Sequence, residues 1–382
     1  MNMKKFKKDV CCLILLLSTF FTIPARFISY DYRKSISTEL QQKINKIVKE
    51  AMEKYDIPGA IIGIWSASDG MWVKAFGKSD VFEGKDMKGG YKVRIGSITK
   101  TFVATVLLQL VDERKIHLDD TLINYIPGIP NADKITIRQL ANHTSGIFDY
   151  ADDKNFWPKV FADPLKQWAP QELLNIALSH PSYFAPGGGW HYSNTNYILL
   201  GMIIEQVTGN KLENETKRRL IEPLELKKTN FATESFMIGE YSHGYMDRNG
   251  DGKFEDITLL DPSVGWAAGA MISNLEDLAI WAKALVKEKL SSAKIRNEHF
   301  RWVDTGQPHL RYGIGVAKLG NFIGHDGAIP GYNSAMFYLP SEDITIIVLL
   351  NNFADTNVAT LLFMEIAKIL TPAEAPWRFD KK

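Results

Sequence analysis

Strand-like segments stand near both ends of this 382-residue chain, and helix-like segments fill the part between them. Residues 60–66 and 71–76 are strand-like and are joined by an Asp-Gly turn, a pattern that predicts a β-hairpin. Near the other end, the run "DITIIVLLNN" is rich in β-branched residues and predicts a buried strand. We therefore expect an α/β (α+β) fold: an antiparallel sheet built from both chain ends and flanked by helices, with a mainly helical inserted sub-domain.

Apolar residues recur at helical spacing through most of the middle of the chain, and this periodicity sets the expected helices. Glycine and proline residues mark where several of these segments should stop. We expect helices at 39–55, 97–114, 135–142, 170–178, 196–208, 275–287 and 356–370, and further strands at 312–319, 333–339 and 344–350.

The first 26 residues have the pattern of an export signal, because four lysines precede an apolar run at 10–23. An uncleaved membrane anchor is the alternative, since the residues before Ala25 make an irregular cleavage site. Both cysteines of the chain, Cys11 and Cys12, begin this run, which argues against a lipoprotein anchor. A chain cleaved after the run would contain no disulfide, no cysteine zinc site and no thiol nucleophile.

The formal net charge is +1, and 23% of the residues are charged. A chain with so little net charge has no electrostatic surface for nucleic acid or for an anionic membrane. We expect a small-molecule or peptide substrate, no nucleic-acid partner, and a membrane contact only if the N-terminal segment is uncleaved.

Ser97 and Lys100 begin the helix expected at 97–114, directly after Gly96. Residues at i and i+3 share a helix face, so the amine can reach the hydroxyl and serve as its base. The alternative is that Ser97 caps the helix and Lys100 is solvated. A second Ser-x-x-Lys at 291–294 shows that chance supplies this spacing.

Tyr192 and Asn194 form the only Tyr-x-Asn of the chain, between a glycine-rich turn and a helix. A buried tyrosine near ammonium groups could give up its proton more easily and act as a base or shuttle. Asn194 offers a donor and an acceptor to a substrate amide. The alternative is a core tyrosine beside a helix-capping asparagine.

His325, Asp326 and Gly327 lie on or beside a strand, where a glycine lets a ligand approach the backbone. Alone this triplet carries little weight. Two other motifs attract notice without becoming candidates. Residues 247–258 resemble half of an EF-hand loop but end on a threonine, so a hairpin is the better interpretation. We interpret "HTSG" at 143–146 as a structural turn beside the site.

Taken in order, Ser-x-x-Lys, Tyr-x-Asn and His-x-Gly resemble the serine penicillin-recognising enzymes. The resemblance is to the branch of class C β-lactamases, D-alanyl-D-alanine carboxypeptidases and related esterases, and "LANHTSGIFDY" and "GWAAGAMISNLEDLAIW" share it. It covers about residues 36–370 and implies a β-lactamase/transpeptidase-like domain. Its α/β part would be 36–96 and 308–370, its helical part 97–307, and 371–382 would be a C-terminal tail.

The resemblance implies a role for each candidate. Ser97 matches the acylated nucleophile, Lys100 its proton acceptor and Tyr192 the general base or shuttle. Asn194 matches a residue that holds the substrate amide and helps to place Lys100. At the third motif, His325 stands in place of a lysine. The backbone N–H groups of Ser97 and of Ala328, which follows Gly327, match the oxyanion hole.

One departure bears on the substrate. In carboxypeptidases of this branch, threonines in and after the His-x-Gly motif and an arginine on the preceding strand hold the substrate carboxylate. Here the matching positions are Asp326, Ala328 and about Ala317. An anionic Asp326 should repel a substrate carboxylate. Lys318 would have to offset this repulsion, but strand alternation should point its side chain to the opposite face of the strand from that of Ala317.

We therefore expect an exported serine hydrolase that works through an acyl-enzyme, D-alanyl-D-alanine carboxypeptidase-like or a D-peptidase. A β-lactamase or carboxylesterase of the same fold is an alternative, and so is a β-lactam or peptidoglycan-fragment sensor without turnover. The substrate would be a D-amino-acid peptide, a β-lactam or an ester. Because the sequence has neither a Gly-x-Ser-x-Gly nor a His-Glu-x-x-His motif, we predict a metal-free mechanism and no cofactor.

Overall fold

The computed structural model describes residues 34–287, 290–353 and 357–377. The expected signal segment, both cysteines and the last five residues of the expected tail lie outside these ranges. None of the helices within them combines the length and apolarity that a membrane-spanning helix requires.

The described residues form strands and α-helices that are numbered in chain order. The strands are β1 Gly59–Ser66, β2 Gly70–Asp80, β3 Lys85–Asp86, β4 Val93–Arg94, β5 Asn230–Phe231, β6 Tyr245–Met246, β7 Glu255–Asp256, β8 Met271–Ser273, β9 Val303–Asp304, β10 Leu310–Tyr312, β11 Ala317–Leu319, β12 Phe322–Ile329, β13 Tyr332–Leu339, β14 Ile344–Leu350 and β15 Asn352–Phe353. The helices are α1 Thr38–Lys54, α2 Thr99–Asp112, α3 Ile137–Ala141, α4 Phe156–Ala162, α5 Pro170–Leu178, α6 Asn194–Thr208, α7 Leu212–Thr216, α8 Leu275–Lys287, α9 Ala293–His299 and α10 Val358–Leu370.

A nine-stranded antiparallel sheet organises the molecule, with the order β3-β2-β1-β14-β13-β12-β11-β10-β9. Its centre joins the two ends of the chain, because β1 pairs with β14 from Ala60 opposite Leu350 to Ser66 opposite Ile344. Every residue of β1 and β14 is buried, as the continuous apolar runs predict. The expected sheet made from both chain ends is confirmed.

Helices cover both faces of this sheet. On one face, α1 and α10 pack on each other and α10 packs on β13 and β14. On the other face, α8 lies against the same strands and leads into the helical part. At the centre of that part, α2 buries most of its residues, including Phe102, Val103, Val106 and Leu107. The burial of α2 matters for the site, because its first turn holds Lys100 in the interior, directly after the turn that contains Ser97.

The mainly helical inserted part also contributes short strands to two three-stranded sheets, β15-β6-β7 and β4-β8-β5. The structure differs from the sequence-based expectation in two places. Residues 312–319 are not one strand: β10 ends at Tyr312, Gly315 has a φ of +69°, and the chain turns back into β11. Residues 371–377 are not a free tail, since Trp377 is 3% exposed and packs on the core.

The EF-hand-like segment forms the connection of a hairpin, because β6 and β7 pair antiparallel on either side of it. The carboxylate of Asp247 accepts hydrogen bonds from the backbone N–H groups of Asp251 and Gly252, at 3.2 and 2.9 Å. The hairpin interpretation is therefore confirmed. In the described ranges, no group of three or more histidine, cysteine, aspartate or glutamate side chains is arranged to hold a metal ion.

Candidate active site

Ser97 lies in a short 3-10 turn, Gly96–Ile98, that leads directly into α2. Gly96 has a φ of +50°, and a Cβ at this position would lie 2.8 Å from the backbone nitrogen of Ala328. At Gly327, a Cβ would lie 2.1 Å from the carbonyl oxygen of Ile95. These two glycines let the turn and β12 meet backbone to backbone. The contact brings Ala328 beside the Ser97 turn, where the resemblance requires it.

Lys100 is fully buried in the first turn of α2 and donates three hydrogen bonds. Its Nζ atom lies 2.9 Å from Ser97 Oγ, 2.8 Å from Asn194 Oδ1 and 2.8 Å from the carbonyl oxygen of Ala268. An ammonium has three N–H donors, so these contacts satisfy it completely. The predicted Ser97–Lys100 pairing is present in the structure, and Lys100 is not solvated.

Burial lowers the pKa of Lys100 to about 7, although the nearby carboxylates of Asp149 and Asp326 act in the opposite direction. An amine with this pKa is partly neutral at physiological pH. The neutral amine has a lone pair 2.9 Å from Ser97 Oγ and can accept its proton. Lys100 therefore has the position and the basicity of a general base for Ser97.

The hydroxyl of Tyr192 is buried and makes no hydrogen bond to the residues that the structure describes. The Lys100 ammonium lies 4.8 Å from the centre of its ring. Burial raises the pKa of Tyr192 well above its ordinary value, although the Ser97 side chain acts to lower it. This direction is opposite to the one expected from nearby ammonium groups, because burial opposes the charged phenolate. The raised pKa favours the neutral phenol.

Asn194 is the first residue of α6, and Ser193 occupies the N-cap position. While its Oδ1 atom accepts from Lys100, its Nδ2 atom donates to Asp149 Oδ2 at 2.8 Å. Both polar atoms of the side chain are thereby engaged. Asp149 did not stand out in the sequence, because its partner lies 45 residues further along the chain.

His143 packs against the Tyr-x-Asn segment, in agreement with the interpretation of 143–146 as a turn beside the site. Its ring lies 4.4 Å from that of Tyr192, and its Nδ1 atom lies 3.2 Å from both the backbone nitrogen of Ser193 and Asn196 Nδ2. Burial, with the charges of Lys100 and His325, lowers the pKa of His143 well below its ordinary value. His143 is therefore a neutral packing partner.

His325 uses both ring nitrogens within the protein. Nε2 lies 2.8 Å from the hydroxyl of Tyr312, and Nδ1 lies 2.6 Å from the backbone carbonyl oxygen of Asp326. These two contacts fix the orientation of the His325 ring. The sequence did not single out Tyr312, which sits inside a segment that we expected to be one continuous strand.

Asp326 follows His325 in β12, and its Oδ1 atom lies 3.4 Å from His325 Nδ1. Its Oδ2 atom accepts hydrogen bonds from Asn357 Nδ2 at 2.6 Å and Thr360 Oγ1 at 3.1 Å, at the start of α10. Burial opposes its ionisation, but the hydrogen bond with His325 holds the pKa of Asp326 below its ordinary value. One oxygen of the carboxylate is thus held at the N-terminus of α10, where a negative charge is favourable.

The edge of β12 is open beside the Ser97 turn. β11 pairs with β12 only from Phe322 to Gly324, with Ala317 opposite Gly324. From His325 to Ile329, the strand partner in the described sheet is β13 alone. An open edge next to a nucleophile can bind an extended substrate by main-chain hydrogen bonds.

Comparison with known proteins gives an independent view of the chain. A family model described as Beta-lactamase matches residues 44–371. Penicillin-binding protein 4* of Bacillus subtilis (strain 168) is 27% identical over 354 residues, which cover 86% of this chain and 76% of that protein.

Two solved structures superpose over most of the chain. The D-stereospecific amidohydrolase from Streptomyces sp. has a TM-score of 0.76 and 32% identity, and the match covers 87% of this chain and 98% of that one. The D-amino acid amidase from Ochrobactrum anthropi SV3, complexed with D-phenylalanine, has a TM-score of 0.79 and 26% identity, covering 88% and 100%.

Proposed function

Since the chain belongs to the β-lactamase family of penicillin-binding-protein-like serine hydrolases, we propose that it hydrolyses D-amino-acid amides or peptides through an acyl-enzyme on Ser97. The observation that carries this proposal is the 2.9 Å contact between Ser97 Oγ and the Nζ atom of the buried Lys100. A serine hydroxyl is unreactive until a base accepts its proton, and this contact supplies the base.

Acylation follows from the positions of the groups. As Ser97 Oγ attacks the substrate carbonyl carbon, its proton passes to neutral Lys100. The carbonyl oxygen becomes an oxyanion beside the backbone N–H groups of Ser97 and Ala328. When the carbon–nitrogen bond breaks, Tyr192 donates its proton to the leaving amine and regains one from Lys100. Water then attacks the ester on Ser97, and the acid and the free serine are released.

The charges around the nucleophile favour a substrate whose leaving group carries no carboxylate. Two carboxylates, Asp149 and Asp326, act on Lys100, and His325 has both ring nitrogens engaged. A free carboxylate next to the scissile bond would meet negative potential, whereas an α-ammonium would be attracted to it. The neighbouring structures are an amidohydrolase and an amidase with D-stereospecific names, and a D-amino-acid amide has this charge pattern.

A substrate panel tests the proposal. We expect kcat/KM for D-phenylalanine amide to exceed that for L-phenylalanine amide at least tenfold, and to exceed that for a D-Ala-D-Ala peptide, nitrocefin and p-nitrophenyl acetate. Ser97→Ala should have no activity on any of them. A preference for the D-Ala-D-Ala peptide would establish a carboxypeptidase instead, and a preference for nitrocefin or the ester would establish a β-lactamase or an esterase.

A protein of another class, a β-lactam or peptidoglycan-fragment sensor, would give a different pattern. It would be labelled at Ser97 by a fluorescent penicillin and would turn over none of the substrates. The buried Lys100 and Tyr192 favour the enzyme, because a sensor that is acylated once needs no proton donor for repeated leaving-group departure.

We also propose that the chain is exported and acts outside the cytoplasm. The support is the lysine-rich, apolar pattern of residues 1–26. The mass of the protein recovered from an expressing bacterial host tests this. Loss of about the first 26 residues supports export with cleavage, a full-length chain in the membrane fraction supports the anchor, and a full-length chain in the cytosol contradicts export.

A further inference from the structure

Asp149 is a buried carboxylate that the mechanism above does not use. It is 4% exposed and follows the turn at 143–146. Its Oδ2 atom accepts the hydrogen bond from Asn194, and its Oδ1 atom accepts from the backbone N–H of Ala151 at 3.1 Å. Both donors are neutral, so this charge is buried against an amide that itself contacts Lys100.

We propose that Asp149 is a positioning residue for acylation: its carboxylate fixes the Asn194 amide with the oxygen toward Lys100, and its charge sets the pH below which Lys100 is protonated and no longer a base. The role rests on the proposed function, since it acts through the base of Ser97. It adds a member to the site that sequence resemblance did not assign.

The hydrogen-bond chemistry leaves the Asn194 side chain one orientation. A carboxylate only accepts hydrogen bonds and an ammonium only donates them. The amide therefore turns its Nδ2 atom to Asp149 and its Oδ1 atom to Lys100, as observed. Without Asp149, a flipped amide would face N–H groups toward the N–H groups of Lys100. Asp149 and Lys100 thus select the same rotamer from opposite ends.

The charge of Asp149 acts on Lys100 across the Asn194 side chain that lies between them. Burial drives the proton off Lys100, and the anions of Asp149 and Asp326 draw it back, which leaves the pKa at about 7. Burial likewise raises the pKa of Asp149 to about 6, with Lys100 opposing and Asp152 adding to the rise. Removing the Asp149 charge should let Lys100 lose its proton at a lower pH.

Other titratable groups face this pair and remain in place when Asp149 is changed. The hydroxyls of Tyr150, Tyr183 and Tyr192 feel the charge of Asp149. His143 feels the charge of Lys100 and stays neutral. None of the four changes protonation state between pH 6 and 8, because the pKa of each tyrosine is raised and that of His143 is lowered. In wild type Asp149 and Lys100 both titrate between about pH 6 and 7, whereas in a variant without the Asp149 carboxyl the acid limb reports on Lys100.

A purely structural role makes a different prediction. Asp149 is also the N-cap of a 3-10 turn over Tyr150–Asp152. If it served only to close this turn, its replacement would reduce reactivity by a similar factor at every pH. A shift of the pH profile toward lower pH, in a variant that still accepts a hydrogen bond from Asn194, is specific to the positioning role.

The experiment measures the rate of fluorophosphonate labelling against pH for wild type, Asp149→Asn and the matched control Asp152→Asn. An asparagine keeps one acceptor oxygen for Asn194, loses the oxygen that accepts from the backbone N–H of Ala151, and removes the charge. We expect the acid limb of Asp149→Asn to move down by about one pH unit. At about pH 6.5, its rate relative to its own alkaline plateau should then be about threefold that of wild type. Asp152 is exposed and bonds to the hydroxyl of Tyr183, so its variant should keep the wild-type limb.

An unchanged acid limb in Asp149→Asn, with its fold confirmed by thermal unfolding, would overturn the inference. So would an equal shift in Asp152→Asn, because net charge alone would then explain it. If Asp149→Asn does not fold, Asp149→Ser retains a hydroxyl acceptor and carries the same expectation. Wild type that is never labelled would instead refute the proposed function, so the two failures are distinguishable.

Discussion

The chain contains the pattern Ser-x-x-Lys twice, and the structure puts the two copies in opposite environments. Lys100 is fully buried with three hydrogen bonds, whereas Lys294 is exposed. Near the second copy, Ser292 caps the seven-residue α9 and accepts from the backbone N–H of Ile295. The spacing alone carries no chemistry. The difference lies in what surrounds the lysine, because burial makes an amine a base at neutral pH and water does not.

The surroundings of the first copy come from distant parts of the chain. Asn194 and Ala268 contact Lys100 from 94 and 168 residues away, and β12 closes on the Ser97 turn through Gly96 and Gly327. The second copy has a local helix cap and a contact from its backbone to Asp112. The predictions below remove the contacts that distinguish the first copy one at a time, in order of decreasing expected effect.

Replacing Lys100 and Lys294 in turn should give the largest difference in activity between the two copies. Lys100→Met should reduce fluorophosphonate labelling and amide hydrolysis by roughly 10³-fold or more, because Ser97 loses its base. Lys294→Met should leave both within about twofold, since a surface change away from the site has little effect. Stopped-time labelling and steady-state kinetics measure both. Comparable losses in the two variants, or full activity of Lys100→Met, would contradict the assignment of the base.

The close approach of β12 can be broken at Gly96. A methyl group there would strike the Ala328 backbone and would also need a left-handed φ of +50°. Gly209→Ala is the matched control, because Gly209 has a φ of +68° and open space around its Cβ position. We expect losses in the free energy of unfolding of roughly 3 kcal/mol for Gly96→Ala and about 1 kcal/mol for Gly209→Ala.

Urea unfolding measures these losses, and labelling follows Ser97 in the same samples. The rate should fall at least tenfold in Gly96→Ala and stay near wild type in Gly209→Ala. Equal losses in the free energy of unfolding would mean that backbone strain, and not the contact with β12, explains the effect of Gly96→Ala.

The buried lysine should also show itself in the pH profile of the wild type. Since burial lowers the pKa of Lys100 to about 7, its neutral form is lost as pH falls below that value. The labelling rate should fall about tenfold per pH unit well below 7 and be level above about 8. Tyr192 stays protonated throughout, because burial raises its pKa. A rate that is flat from pH 5 to 8 would show that Lys100 is not the base.

The smallest effect belongs to Asp326. Its carboxylate bonds to Asn357 and Thr360, so Asp326→Thr should change the preference between substrates with and without a free carboxylate by no more than about threefold. It should lower the free energy of unfolding by about 1 kcal/mol, because the start of α10 loses a favourable charge. A tenfold gain toward carboxylate substrates would show instead that the Asp326 charge acts directly on the substrate.

Local signals were sufficient for much of the fold. The Asp-Gly turn and the β-branched run predicted β1, β2 and β14, and apolar spacing predicted α2, α5 and α8. Residues 312–319 were predicted wrongly, because the apolar residues continue through a turn made by Gly313 and Gly315. Strand alternation could not say which face of β12 Asp326 takes until the strand register was known.

The candidate site divides in the same way. Motif order was enough to bring Ser97, Lys100, Tyr192, Asn194 and His325 together. Asp149 and Tyr312 were missed, because each is defined only by a partner that the folded chain brings near. The sequence shows the charged residues near Tyr192 but not the burial that raises its pKa.

The most direct test is to locate the covalent adduct by mass spectrometry after fluorophosphonate treatment. Intact mass gives the number of adducts, and peptide mapping gives the residue. The account predicts one adduct on Ser97 in wild type and in Ser291→Ala, and none in Ser97→Ala. An adduct on Ser291, or an undiminished adduct in Ser97→Ala, would contradict it.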